Sequence, residues 1–291
     1  MSNKKIAYQG LQGAFSWLAG IKFFGKKNKF ISVDEFKKIF ELVENKKADF
    51  GVVPIENTLV GSIYENYDHL NSYNVKIYGE IILKIEHNLL GIKTDLPFSK
   101  RIKLIKKVFS HPKALEQCQK FFEKYTWIEK VSYKDTAGSA KYISEIKDES
   151  LGCIASKEAG KIYGLEVIKE NIEDNKNNFT RFLIISKKEN KNLKKINKGS
   201  LIFRLLHAPG GLYKALKPFA ENKINLTKIE SRPIKDRPFE YVFYMDFEFQ
   251  KGELKKVLKT LKEFKNLVKK FKFLSFYPSY QWCHPGVDVK H

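Results

Sequence analysis

Over residues 1–185, short apolar runs alternate with stretches whose apolar positions recur every three or four residues. Residues 5–8 read as a strand ending in a glycine turn, Gly10-Leu11-Gln12-Gly13, ahead of a helix that Ser16 is placed to cap. Apolar residues at Val33, Phe36, Ile39, Phe40 and Val43 give helical spacing over 33–44. Residues 49–53 read as a buried strand stopped by Pro54. A helix over 63–70 and extended segments over 75–85 and 88–92 follow. A short strand at 108–109 leads through Ser110-His111-Pro112 into a helix over 113–124. The pattern then repeats: strand 128–133, helix 136–146, strand 152–155, helix 156–163, with extended segments at 167–172 and 181–185. Such alternation predicts an α/β architecture with parallel pairing, in which ligands sit beyond the carboxyl ends of the strands.

Residues 187–198 (KKENKNLKKINK) carry no apolar face and read as a linker. Beyond it come strand 201–206, helix 211–221, strands 224–229 and 239–249, and an amphipathic helix marked by Leu254, Val257, Leu258, Leu261, Phe264, Val268 and Phe271. Strand 273–276 closes a βαββαβ order, which predicts a ferredoxin-like domain. The lysine-rich face of the last helix has the pattern of a membrane-surface helix, but covering one side of the sheet accounts for it better.

Composition narrows the class. Of 291 residues 43% are hydrophobic, enough for sizeable cores, and no apolar stretch is long enough to span a bilayer. The basic start is followed by too short an apolar run for a signal peptide, so a cytoplasmic location is expected. Three cysteines, Cys118, Cys153 and Cys283, lie far apart and suggest reduced thiols. The net charge of +21 raises nucleic-acid binding as a reading. Residues 1–190 hold 32 Lys/Arg against 24 Asp/Glu, and residues 191–291 hold 22 against 9. The excess is nearly all lysine, and finger spacings, stacking aromatics and arginine tracts are missing, so nucleic acid is not the expected partner.

Three polar segments carry candidate chemistry. Glu56-Asn57-Thr58 follows a buried strand and a proline; it presents a carboxylate, an amide and a hydroxyl together, or is an Asx-type turn preparing the next helix. Thr180-Arg181, after the polar loop Glu173–Asn178, puts a hydroxyl beside a guanidinium that can fork onto a carboxylate, or is an ordinary strand start. Ser110-His111-Pro112 opens a helix with Gln117 over one turn in, where free first-turn amides attract anions. Ser110 lacks the glycine-flanked elbow of a hydrolase, and the six histidines lack metal-ligand spacing.

In order along the chain, Ile6-Ala7-Tyr8-Gln9-Gly10, GVVPIENTLVGS, FSHPKALEQC, DTAGSAKYISE and GCIASKEAGKIYGLEVIKENIEDNKNNFTRF resemble the prephenate dehydratases. Pro209-Gly210-Gly211-Leu212-Tyr213 and INLTKIESRP resemble the ACT regulatory domain attached to them. The resemblance spans about residues 4–278. Ala14 departs from a common threonine, and Gly211 from a common alanine. It implies a two-lobed catalytic domain like the type II periplasmic binding proteins (1–187), a linker (188–198), an ACT domain (199–278) and a tail (279–291) of unassigned role, whose Cys283-His284 pair offers too few ligands for a metal site.

The resemblance further implies decarboxylating dehydration of prephenate to phenylpyruvate, without cofactor or metal. Thr180, Asn57, Ser110 and Gln117 fall at catalytic positions. Arg181, Thr58, Glu56 and Phe182 are expected near the substrate. Gly210, Gly211 and Leu212 in one turn after a strand, Glu230, Ser231, Arg232 and Pro233 in a second, and Asn225 and Leu226 at the start of the strand leading to that second turn are expected to bind the effector L-phenylalanine between subunits of a homodimer or homotetramer. Arogenate dehydration is the close alternative. A non-catalytic small-ligand-binding protein is the alternative of another class, since the fold alone does not fix function.

Overall fold

Strand Lys5–Gln9 pairs in parallel with Lys29–Val33 on one side and Phe50–Asn57 on the other, with helices Phe15–Phe24 and Phe36–Glu44 making the crossovers a parallel sheet requires. The computed structural model describes residues 3–190, 192, 195–206, 208–234 and 237–280. Its chain divides into two compact units, 1–66 with 82–182, and 67–81 with 183–291. No described helix is long and apolar enough to cross a membrane.

In the first unit the predicted helix over 33–44 divides. Val33 ends a strand, and the helix starts at Phe36, burying Ile39, Phe40 and Val43. Strand Lys29–Val33 is half-exposed and only five residues long, with Phe30-Ile31 as its one apolar pair. Pro54 does not stop its strand, which continues to Asn57. Pairing with Lys5–Gln9 ends at Val52, so the residue without an N–H falls past the last paired position on that side. Ser16 is not the cap of its helix: Ala14 holds that position, and Ser16 is buried within the first turn.

A second sheet in this unit runs Leu165–Lys169, Asn88–Ile92, Leu151–Ala155, Lys107–Ser110, Glu129–Ser132. Lys107–Ser110 is parallel to both neighbours, but Asn88–Ile92 is antiparallel to both of its own, so the purely parallel expectation fails there. The cause is the route of the chain. Two segments pass side by side between the sheets, tied by Ile85 N–H to Asn178 O at 2.8 Å and Ile172 N–H to His87 O at 2.8 Å. Asn88 enters the second sheet straight from such a crossing rather than over a helix.

The predicted helix 113–124 is two short ones, Pro112–Glu116 and Gln119–Lys124. Asp174, distant in sequence, accepts from Gln119 N (2.9 Å) and Lys120 N (3.0 Å), while its own N–H donates to Gln117 O (2.8 Å). That carboxylate caps the second helix and leaves Gln117 at the break.

The second unit holds an antiparallel sheet in the order Asn225–Ile234, Arg237–Glu248, Lys198–Arg204, Lys270–Tyr277, the ferredoxin-like order. Helices Gly211–Glu221 and Leu254–Leu267 cover one face over Phe203, Phe219, Phe247 and Phe264. Phe264 meets Phe203 at 5.0 Å and Phe219 at 5.4 Å, edge-on. Residues 67–81 belong to this unit, unlike the partition read from sequence. Lys272 Nζ donates to the carbonyls of Leu70, Asn71 and Tyr73, where helix Tyr64–Ser72 ends. Arg232 pairs with Asp68 at 2.9 Å, and buried Lys198 with buried Glu80 at 3.1 Å. Lys198, read as linker, opens a strand. The tail from 281, with Cys283 and His284, lies outside the described residues, as do Lys191, Leu193 and Lys194 of the linker.

Candidate functional site

Polar groups from four segments of the first unit meet where the crossing chains leave the two sheets. The order of their hydrogen bonds follows from two donors that cannot be exchanged. Leu59 N–H and Val60 N–H donate to Asn57 Oδ1 at 2.9 and 3.0 Å. The Asx turn is therefore real, and it fixes which end of the Asn57 amide faces inward. Asn57 Nδ2 then donates toward Asn178 Oδ1 (2.7 Å), Thr180 Oγ1 (2.9 Å) and Phe179 O (3.1 Å). With its Oδ1 accepting, buried Asn178 turns Nδ2 to Gln117 Oε1 at 3.0 Å. His87 Nε2 lies 2.8 Å from the same oxygen and must donate to it.

Among the described residues, the Thr180 hydroxyl hydrogen and the Gln117 NH₂ group have no acceptor at the end of this sequence of bonds. Thr180 Oγ1 accepts from Asn57, so its own hydrogen is available to a ligand. The Gln117 carboxamide has its oxygen engaged twice and its NH₂ uncommitted among the described residues. A hydroxyl donor and an amide donor in one place suit a ligand rich in anionic and hydroxyl oxygens.

The remaining expected residues divide. Thr58 closes the crossing: its hydroxyl donates to Asn177 O (2.6 Å) and accepts from Phe179 N–H (2.9 Å). The Ser110 hydroxyl is fully buried and donates to Ile154 O at 2.7 Å, tying two strands of the second sheet. Thr180 and Arg181 lie at the start of strand Phe179–Ser186, so successive side chains take opposite faces. Arg181 pairs with Glu56 at 3.0 Å, away from the Thr180 side, and Phe182 is 2% exposed in the core. Within the chain, Arg181 and Glu56 partner each other and Phe182 packs in the core. His87, Asn178 and Asp174 were not singled out from sequence. A histidine between the extended segments 75–85 and 88–92, and the last asparagine before Phe179-Thr180, were the available signals.

Burial shapes the chemistry. His87 is nearly inaccessible, which holds its imidazole below the usual histidine range; the Gln117 contact and the Glu173 carboxylate oppose that shift. Burial pushes the Cys118 thiol far above its ordinary value, with Asp174 and Glu173 adding to the effect, so it is a packing group and not a nucleophile. Gly13 (φ +91°) lets the turn after Gln9 pass helix Lys157–Tyr163 closely: a Cβ there would lie 2.7 Å from Ala159 Cα.

In the second unit Gly210 caps its helix in the left-handed region, φ 72°, and with Gly211 and Leu212 lines an open pocket of about 320 Å³. Tyr241 and Phe243 form another wall. Glu230-Ser231-Arg232-Pro233 is not a turn: it lies within strand Asn225–Ile234, where three consecutive polar residues and a proline interrupt the apolar pattern. Ser231 and Pro233 stand opposite Phe243 and Tyr241 and share their face. Glu230 and Arg232 take the other face, where Arg232 meets Asp68. Asn225 and Leu226 pair near Glu248 and Phe247. The nine expected effector residues thus do not line one pocket within a single chain.

Comparison with known proteins gives a consistent picture. A family model described as prephenate dehydratase matches residues 6–190, and one described as ACT domain matches 199–266. The prephenate dehydratase of Methanocaldococcus jannaschii is 42% identical over 276 residues, covering 92% of this chain and 98% of that protein. A solved prephenate dehydratase from Arthrobacter aurescens, in complex with L-Phe, is 25% identical with a TM-score of 0.81, covering 94% of this chain and 89% of that one. A structure described as GqqA, a novel type of quorum quenching acylase, is 28% identical with a TM-score of 0.82, covering 95% and 98%.

Proposed function

The chain belongs to the prephenate dehydratase family, and we propose that it converts prephenate to phenylpyruvate, carbon dioxide and water under feedback control by L-phenylalanine. In this reaction the ring carboxylate leaves as carbon dioxide and its bonding pair enters the ring. The ring aromatises as the bond to the hydroxyl breaks, and hydroxide takes up one proton and departs as water. The driving force lies in the substrate, so the protein has to hold a dianion and ease the departure of hydroxide.

One observation carries this reading: the bond polarity fixed at Leu59 and Val60 leaves the Thr180 O–H and the Gln117 NH₂ free in the same cluster. Thr180 is the donor to the leaving hydroxyl. A threonine is too weak an acid to supply the proton alone at neutral pH, so it acts as a positioned hydrogen-bond donor or as one link to water. Gln117 takes a carboxylate oxygen, and Asn57 orients Thr180. Ser110 keeps the floor of the site in place through Ile154. Arg181 and Glu56 act on the substrate through the strand they brace.

Purified protein should release phenylpyruvate from prephenate. Faster turnover of arogenate to phenylalanine would transfer the assignment to the amino-acid analogue. Binding without turnover of either substrate would leave a ligand-binding protein. The same full-length chain should lose activity on addition of phenylalanine.

The reading extends to assembly and place. Phe239 is 82% exposed and Tyr213 72%, beside Leu206 and Tyr241, an apolar surface that a homodimer or homotetramer formed through this domain would cover. The phenylalanine site would then be completed between subunits, which fits the dispersal of Gly210–Leu212 and Glu230–Pro233 over one chain. Light scattering coupled to size exclusion tests this: a monomer at micromolar concentration would refute it. A cytoplasmic enzyme is the accompanying assignment, tested by cell fractionation.

A further inference from the structure

Sequence reading and the catalytic proposal both leave out His87, the one histidine buried at the polar cluster among the described residues. We propose that His87 is a positioning residue: as the neutral imidazole protonated on Nε2, it fixes the Gln117 carboxamide so that its NH₂ group stays available to an anionic oxygen of the substrate.

The tautomer follows from geometry. Gln117 Oε1 cannot exchange places with its NH₂, because Asn178 Nδ2 donates to it at 3.0 Å and Asn178 cannot turn over while Asn57 Nδ2 faces its Oδ1 at 2.7 Å. Asn57 is held by two backbone N–H groups. At 2.8 Å from Oε1, His87 Nε2 must therefore carry the hydrogen. The other ring nitrogen, Nδ1, is buried with no hydrogen-bond partner among the described residues, as a bare nitrogen tolerates better than an N–H. Phe15 covers the ring edge-on at 5.8 Å.

The charged groups nearby do not call for an imidazolium. Glu173 Oε2 accepts from the His87 backbone N–H at 2.9 Å, and Lys176 pairs with the other Glu173 oxygen at 3.1 Å. Burial disfavours the charged ring as well. Two donors from different segments thus meet on one amide oxygen. A single donor would leave the Gln117 amide free to swing about it, whereas two hold its plane and with it the direction of the NH₂ group. The backbone bonds at His87 do not involve the ring, so a side-chain exchange leaves the crossing of the chains in place.

The functional part of this inference rests on the proposed dehydratase reading; the tautomer does not. In full-length protein with ¹⁵N-labelled histidine, the signal lost in His87→Gln should show a protonated Nε2 and a bare Nδ1 at pH 7. An imidazolium or an Nδ1–H tautomer overturns the inference whether or not the protein is a dehydratase. In turnover, His87→Phe keeps the ring shape without the donor and should raise KM for prephenate roughly three- to tenfold, the range for one neutral hydrogen bond. His87→Gln, whose amide nitrogen reaches the place of Nε2, should stay within about twofold of wild type. In a Gln117→Ala background, His87→Phe should add nothing further. Equal losses in the phenylalanine and glutamine variants, or a full additional loss without Gln117, would make His87 a packing residue and refute the proposal. Should His87→Phe fail to fold, the tautomer measurement and the glutamine variant decide.

Discussion

Replacing Thr180 by valine separates what its hydroxyl does for the fold from what it does for the reaction. Valine has nearly the shape of threonine and suits the strand Phe179–Ser186. On the stability side, Asn57 Nδ2 has two hydrogens and three acceptors in reach. Without Oγ1 it still has Asn178 Oδ1 at 2.7 Å and Phe179 O at 3.1 Å, so no buried N–H is stranded. The cost should be that of one ordinary hydrogen bond, about 1 kcal/mol. On the catalytic side the donor to the leaving hydroxyl disappears, and loss of one positioned donor costs about 10²–10³ in kcat, or ~2.7–4 kcal/mol in the barrier. The bond matters most as charge develops on the departing oxygen, so KM should move little while kcat falls. Thr180→Ser, which keeps the O–H, should recover to within about tenfold of wild type. The assay is phenylpyruvate formation under saturating prephenate, with urea unfolding run on the same preparations. A valine variant whose kcat lies within threefold of wild type would refute the role given to Thr180, whatever its stability.

Five further outcomes follow from the same geometry. Lys198→Met should destabilise the protein by about 1.5–3 kcal/mol in urea unfolding, the range for one hydrogen bond to a charged group, because buried Glu80 would lose the buried Lys198 ammonium; a chain ended near Lys188 would lack Lys198 and the sheet that residues 67–81 belong with, and should fold poorly. Asp68→Asn should shift the midpoint of phenylalanine inhibition while leaving uninhibited turnover intact, since Asp68 holds Arg232 on the strand that carries Glu230–Pro233, and a coupling of about 1–3 kcal/mol is at stake. The imidazole of His87 ionises less readily folded than unfolded, so the unfolded chain binds the proton first as pH falls below about 6.5; its contribution to stability is present above that pH and is lost progressively below it, and His87→Phe should flatten this part of a melting-temperature profile. Burial and raised thiol pKa should keep Cys118 and Cys153 unreactive toward a thiol-specific reagent at pH 8 until the protein is denatured.

Much of the architecture is local information and could be read along the chain. Helix Thr136–Ile146 and helix Gly211–Glu221 fall where the pattern along the chain puts them, and their starts are set locally, by the Asp135 carboxylate on Gly138 N–H and by Gly210 in the left-handed region. The βαββαβ order of the second unit is likewise carried by apolar spacing that each element needs to cover its own sheet. The pairing of Asn57, Gln117 and Thr180 as candidates came from colinear resemblance, and no spacing within the chain would have given it.

What folding alone decided are the interactions that no periodicity or local composition along the chain encodes. Asp174 divides the 113–124 helix and sets Gln117 at the break, through bonds invisible to a periodicity that sees only neighbours. Strand Asn225–Ile234 looked like a turn at Glu230–Pro233 because its hydrogen bonds come from Arg237–Glu248 and not from its own composition. The polarity of the site shows the same division. The sequence supplies two asparagines, a glutamine, a histidine and a threonine, each able to donate or accept. Only the backbone N–H groups of Leu59 and Val60, set in place by the folded turn, determine which end of each side chain is spoken for and which is left for a ligand.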